Sequence, residues 1–176
     1  MKGATKDFYV DDSMLERITD CTVFHLGGVG LTEAMDKGRN AQVMKAAKAA
    51  GATTTVDVFA GSPKDLPAIA DVLPYTDYFM PSIEEAQALT GLTDMGDIAR
   101  HFIDLGVKCC VFTLGGDGAY YHHANGTVFK IPAFEIEVKC TCGCGDAFNA
   151  GFAVGLNKGF DPQATVRFAQ ATSALN

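Results

Sequence analysis

Basic residues are scarce in this chain: 14 lysines and arginines stand against 21 aspartates and glutamates, a formal charge of −7 over 176 residues. That balance argues against nucleic acid or an anionic membrane surface as a partner. A phosphate-handling site here must therefore rely on backbone N–H donors and a divalent cation rather than on a basic patch. No apolar run approaches membrane-spanning length, and the polar, mixed-charge N-terminus carries no export signal, so the cytoplasm is the expected compartment. Internal repeats, linkers and low-complexity stretches are missing too. With 48% hydrophobic and 10% aromatic residues, the chain has enough apolar material for one well-cored domain over residues 1–176.

Six cysteines without an export signal read as reduced thiols. Cys109 and Cys110 fall in an apolar strand pattern, where cysteine behaves as a small hydrophobe. Cys140, Cys142 and Cys144 alternate, a spacing that invites a metal site. Structural zinc sites, however, space a ligand pair by about two to four residues and need a second pair. Neither His122 nor His123 stands in such a relation to the cluster. Oxidation in vitro is the expected chemistry of these thiols.

Hydrophobic periodicity alternates between strand and helix. Strand patterns cover Cys21–Leu26, Thr53–Phe59, Tyr75–Met80, Lys108–Leu114 and Phe134–Val138. Ala119–His123 and Thr127–Ile131 form a hairpin around Ala124-Asn125-Gly126, and Phe8-Tyr9-Val10 reads as a strand running into a helix start. Helical patterns cover Thr32–Ala50, Lys64–Leu73, Ser82–Leu89, Gly96–Leu105, Gly145–Lys158 and Pro162–Leu175. Strands separated by helical segments predict βαβ units and a mainly parallel sheet. Gly27-Gly28-Val29-Gly30 reads as a loop, and it lacks the G-x-G-x-x-G spacing of a dinucleotide-binding dehydrogenase.

The most informative stretch is Thr141-Cys142-Gly143-Cys144-Gly145-Asp146-Ala147-Phe148. Two glycines two apart let backbone N–H groups approach an anion closely, and the helix that follows adds the positive end of its dipole. Asp146 sits where those donors converge. An anion hole beside a carboxylate suits the deprotonation of a hydroxyl as it attacks a phosphoryl group. The same residues also fit a plain strand-to-helix turn with Asp146 as a dipole partner.

The run from Thr141 to Gly151 (TCGCGDAFNAG) resembles the C-terminal signature of the ribokinase-like, or PfkB-type, carbohydrate kinases, usually Asp-Thr-Thr-Gly-Ala-Gly-Asp. Three more segments match in the same order. Val56-Asp57-Val58-Phe59 is similar to the family's strand ending in Asp. Pro81 to Gly91 (PSIEEAQALTG) is similar to its Asn-x-x-Glu region, and Thr113 to Ala119 (TLGGDGA) to its Thr-Leu-Gly-x-x-Gly nucleotide loop. The resemblance implies a ribokinase-like three-layer α/β sandwich with a mainly parallel central sheet. It also implies ATP-dependent phosphorylation of a sugar or nucleoside-like hydroxyl, with ATP and Mg²⁺ as cofactors and a small sugar-like substrate. Both chain ends read as interior sequence, so the chain looks like the nucleotide-binding portion of a longer kinase, without the family's N-terminal β lid. A homo-oligomer is left open.

Carried over residue by residue, the resemblance makes Asp146 the general base and the amides of Gly143, Cys144 and Gly145 the anion hole. Thr113, Gly115, Gly116 and Gly118 would meet the nucleotide, although a tight turn also explains those glycines. Glu85 would hold Mg²⁺ through water, but Ser82-x-x-Glu85 is equally a helix capping box. Asp57, Ser82 and Gln170 are further candidates: Asp57 could cap a turn, and Gln170 could lie on a helix surface. Cys140 and Cys142 replace the usual Asp and small residue. Thiols are poor ligands for hard cations, so a monovalent-cation site is doubtful and K⁺ activation is expected to be weak or absent. A nucleotide-binding fragment or degenerate paralogue without turnover is the alternative.

Overall fold

A computed structural model of the chain describes residues 3–18 and 20–176. Its frame is a six-stranded sheet in chain order: β1 (Val23–Val29), β2 (Thr53–Val58), β3 (Tyr78–Phe79), β4 (Cys109–Thr113), β5 (Ala119–His123) and β6 (Val128–Ile131). The first four strands run parallel, with Val56 opposite Leu26 and Phe79, and Phe79 opposite Cys110. The last two add an antiparallel hairpin in which Cys110 faces His122 and Tyr121 faces Phe129. The helices are α1 (Asp12–Ile18), α2 (Arg39–Ala49), α3 (Leu66–Ala70), α4 (Ile83–Thr90), α5 (Met95–Asp104), α6 (Cys144–Asn157) and α7 (Pro162–Ala174). Among the described residues, no helix is long and apolar enough to cross a membrane.

The central strands are buried on both faces, and alternate side chains go to separate cores because the pleat has period two. Cys110 and Phe112 join Met44, Ile69, Leu89 and Phe102 from α2 to α5. Cys109 and Val111 join Phe148, Phe152, Val166 and Ala169 from α6 and α7. Strand order equal to chain order puts the successive right-handed crossovers on one face of the sheet. The α6–α7 pair closes the other, giving the expected three-layer sandwich.

Several local expectations are corrected. The helix expected over Thr32–Ala50 begins only at Arg39, because Asp36 binds the preceding turns instead. Its carboxylate accepts from the Gly30 amide, the Thr32 hydroxyl and the Asn40 amide group. The first strand runs through Gly27-Gly28 to Val29, with a register irregularity after Leu26, so those glycines belong to the sheet rather than to a loop. The 64–73 helix shortens to α3 between two 3-10 turns. Phe8-Tyr9-Val10 forms no strand; Arg39 holds it, donating from Nε to the Val10 carbonyl at 2.6 Å and lying over the Tyr9 ring.

The largest correction concerns Phe134–Val138, which forms no strand. Pro132, lacking an N–H, ends β6, and side chains of α7 bind the carbonyls at its end. Gln170 Nε2 donates to Ile131 O and Arg167 Nη1 to Pro132 O, both at 3.0 Å. Ile136 and Val138 stay exposed.

Candidate active site

The parallel strands end together along one rim of the sheet, where open α/β folds gather their ligands. A cleft of about 780 Å³ opens there. Thr113, Gly115, Gly116 and Gly118 line one wall, Cys144, Gly145 and Gln170 line the other, and residues 133–141 run between them. Seven of the residues singled out from the sequence thus meet at one cavity. A second hollow of about 390 Å³ lies at the opposite rim around Lys48, Asp77 and Lys108 and holds none of them.

The first wall is a tight loop. After β4 a single 3-10 turn, Gly115–Asp117, folds back so that Leu114 N donates to Gly118 O at 2.9 Å. Gly118 is buried at φ 102°, and a Cβ built on it would stand 1.9 Å from the Ile131 carbonyl oxygen. Only glycine fits. Ser82 bridges to Thr113 in parallel fashion, which seats the start of α4 beside this loop.

The second wall is the N-terminus of α6. Gly143 is its N-cap at φ 77°, with no side chain capping the helix. The Cys144 amide closes a turn on Thr141 O at 3.2 Å, so the first-turn donors left without a helical partner are those of Gly145 and Asp146. The end of α7 clamps this turn: Ser173 Oγ donates to Cys144 O at 2.9 Å and Asn176 Nδ2 to Cys142 O at 3.0 Å. Gln170 Nε2 is bound to Ile131 O, but its Oε1 is buried without a partner.

Asp146 is exposed and lies outside the cleft lining, with Gly143, Glu85, Asp57 and Ser82. Its charge is felt by both Asp57 and His25. At the end of β2, Asp57 accepts from the Val58 amide and from Asn149 Nδ2 of α6, each at 2.9 Å. Burial pushes its carboxyl up to about 7, the Val58 and Asn149 hydrogen bonds oppose the rise, and Glu85 and Asp146 add to it. His25 pairs through Nδ1 with Thr55 Oγ1 at 2.8 Å. The sequence reading missed His25 and Asn149. Asn149 follows Asp146 by three residues, which puts the two on one helix face and was the available signal.

A raised folded-state pKa has a definite sign. Asp57 is protonated more readily in the fold than in the unfolded chain, so its contribution is fully present below about pH 4 and is lost as pH rises through about 7. We expect Asp57→Asn to melt above the parent at pH 8, with the difference vanishing near pH 4. Thermal melts at the two pH values check this, and a constant difference would contradict it.

Glu85 and Ser82 form the capping box that opens α4. Glu85 Oε2 accepts from Ser82 N at 3.0 Å and Ser82 Oγ at 2.9 Å, while Glu85 N donates to Ser82 Oγ at 3.2 Å. Among the described residues, no cluster of three or more His, Cys, Asp or Glu is arranged to hold a metal ion. One half-buried carboxylate at this rim suits Mg²⁺, which is held mainly by water and substrate phosphates.

A family model for the pfkB family carbohydrate kinases matches residues 2–176. The chain belongs to that family. Among curated relatives, a 2-dehydro-3-deoxygluconokinase of Thermoproteus tenax is 37% identical over 110 residues, covering 61% of this chain and 33% of that protein. A 5-dehydro-2-deoxygluconokinase of Clostridium perfringens is 27% identical over 177 residues, covering 94% of this chain and 52% of that protein. Among solved structures, the Arabidopsis thaliana ribokinase complexed with ribose and ATP superposes with a TM-score of 0.86 at 27% identity, over 99% of this chain and 56% of that one. An E. coli putative ribokinase II in complex with ATP and Mg²⁺ gives 0.79 at 27% identity, over 92% and 54%. The chain therefore spans a third to about half of the length of these pfkB relatives.

Proposed function

We propose that this chain is the nucleotide-binding and catalytic part of an ATP-dependent kinase that phosphorylates a hydroxyl of a sugar or nucleoside-like substrate. The observation that carries the reading is the meeting of the Gly115–Gly118 loop and the uncapped α6 N-terminus across one cleft. The nucleotide base lies toward Gln170, whose unpartnered Oε1 suits an exocyclic amine donor. The phosphates lie at the α6 N-terminus, where the Gly145 and Asp146 amides and the helix dipole favour negative charge. Asp146 takes the proton of the attacking hydroxyl. Glu85 would hold Mg²⁺ through water, and the ion would supply neutralisation of phosphate charge. The absence of a carboxylate at Cys140 argues for little dependence on K⁺. The cytoplasm is the compartment this chemistry implies.

Glu85→Gln separates the two roles of that residue, because glutamine also completes a capping box. Turnover of the variant should need severalfold more Mg²⁺ while its melting temperature stays near the parent's. A Mg²⁺ titration curve that superimposes on the parent's would remove Glu85 from the metal.

A second reading, a nucleotide-binding fragment without turnover, is favoured by the partial span of the relatives and by the thiols at 140 and 142. Transfer of the terminal phosphate of labelled ATP to a panel of sugars and nucleosides tests between them. Label in a sugar supports the kinase. Retained ATP binding with no labelled product across the panel supports the second reading.

A further inference from the structure

The phosphate-handling role assigned to the loop before α6 uses its backbone and leaves three thiols unexplained. Cys140 and Cys142 are exposed, and Cys144 is half-buried. The Cys142 amide donates to Cys140 Sγ at 3.3 Å, which curls the Cys140 side chain back over residue 142. Extended residues two apart lie about 7 Å from one another, at the outer edge of what a disulfide spans. The Cys144 thiol is turned elsewhere, toward the carbonyls of Cys140 and Ser173 at 3.9 Å.

The remaining cysteines are poor nucleophiles by comparison. Burial raises the Cys21 thiol, pushes Cys109 up to about 12 and raises Cys110 well above the usual range. Cys140 moves the other way: hydrogen bonds from the backbone and side chain of Cys142, and from the Thr141 amide, lower its pKa against slight desolvation. An exposed thiol that accepts from a backbone amide and has a second thiol beside it has the make-up of an oxidant-reactive dithiol.

We propose that Cys140 and Cys142 are a redox modification site on the wall of the cleft, closing to an intramolecular disulfide when a hydroperoxide reaches it. The Cys140 thiolate attacks one peroxide oxygen, the O–O bond breaks, and the alkoxide or hydroxide leaves and takes up a proton. The resulting sulfenic acid is attacked by the Cys142 thiol, an S–S bond forms, and water departs. The two sulfurs lose two electrons, which the peroxide gains. Cys140 and Thr141 line the cleft, and Thr141 O holds the Cys144 amide, so closure reshapes the wall next to the phosphate position. The effect on the cleft rests on the nucleotide reading; the disulfide does not.

Trypsin cuts after Lys139 and Lys158, which isolates all three thiols, and no others, in one peptide. The folded chain is treated with stoichiometric hydrogen peroxide, unfolded, alkylated, digested and weighed. The expected peptide has lost two hydrogens and carries one alkyl group, while Cys109 and Cys110 are fully alkylated; dithiothreitol reverses the change. The loss persists in Cys144→Ser and disappears in both Cys140→Ser and Cys142→Ser. Three alkylated thiols, sulfinic acid alone, or persistence in Cys142→Ser would each overturn the assignment. In calorimetry the oxidised chain should bind ATP severalfold more weakly than the reduced chain. Equal affinity would overturn the coupling to the cleft, whereas no binding by the reduced chain would count against the nucleotide reading and not against the dithiol.

Discussion

Asp146→Asn is expected to lower the rate of phosphoryl transfer by about 10²–10⁴-fold, the range that a positioned general base contributes, while ATP affinity stays within a few fold. Asp146 belongs to the first turn of α6, whose backbone amides are the proposed phosphate donors, but its side chain lies outside the cleft lining. Asparagine keeps the helix start and the volume and removes only the proton acceptor. The carboxylate's charge also raises the Asp57 pKa, so removing it should lower that pKa and leave the fold intact. Single-turnover rates and ATP titrations on the same preparation separate the effects. A near-normal rate would strip Asp146 of its role, and a lost affinity would make it a binding residue instead.

The largest effect on stability should come from Gly118→Ala. The position combines a left-handed backbone with a backbone neighbour 1.9 Å from where the Cβ would sit, and that neighbour is the Ile131 carbonyl at the end of β6. No side-chain rotation relieves such a clash. The hairpin end or the loop must move, at a cost on the order of 3 kcal/mol or more, which is roughly 10 °C in melting temperature for a chain of this size. Because Ile131 O also receives Gln170 Nε2, the displacement should reach α7 and the cleft wall. A melting temperature within about one degree of the parent's, by the same scale, would show that the loop yields freely.

The strands that carry the site were legible because their side chains obey simple rules. Thr53–Val58, apart from Asp57, and Cys109–Thr113 are β-branched or apolar runs, and both form central strands. The glycine clusters at 115–118 and 143–145 were legible as well, because few residues other than glycine accept a left-handed backbone or such close approach. Alternation misled at Phe134–Val138, where the pattern is present but Pro132 ends the preceding strand and α7 side chains bind the carbonyls there. Periodicity describes a side-chain pattern and cannot say whether a partner edge is free. The start of α2 was hidden for a related reason, since the Asp36 side chain competes with helical hydrogen bonds. The Asp57–Asn149 pair was out of reach: 92 residues separate the two, and only the docking of α6 against the sheet joins them. The influence of the Asp146 charge on His25 depends on the same docking.

The central claim is that the cleft between the Gly115–Gly118 loop and the α6 N-terminus is a nucleotide site in its own right. Calorimetric titration of ATP into the reduced 176-residue chain, with and without Mg²⁺, tests it most directly. The account predicts saturable binding at one site that strengthens with Mg²⁺ and weakens when Gln170 is changed to alanine. A well-folded chain that releases no heat and shows no saturation with ATP at either condition would contradict it.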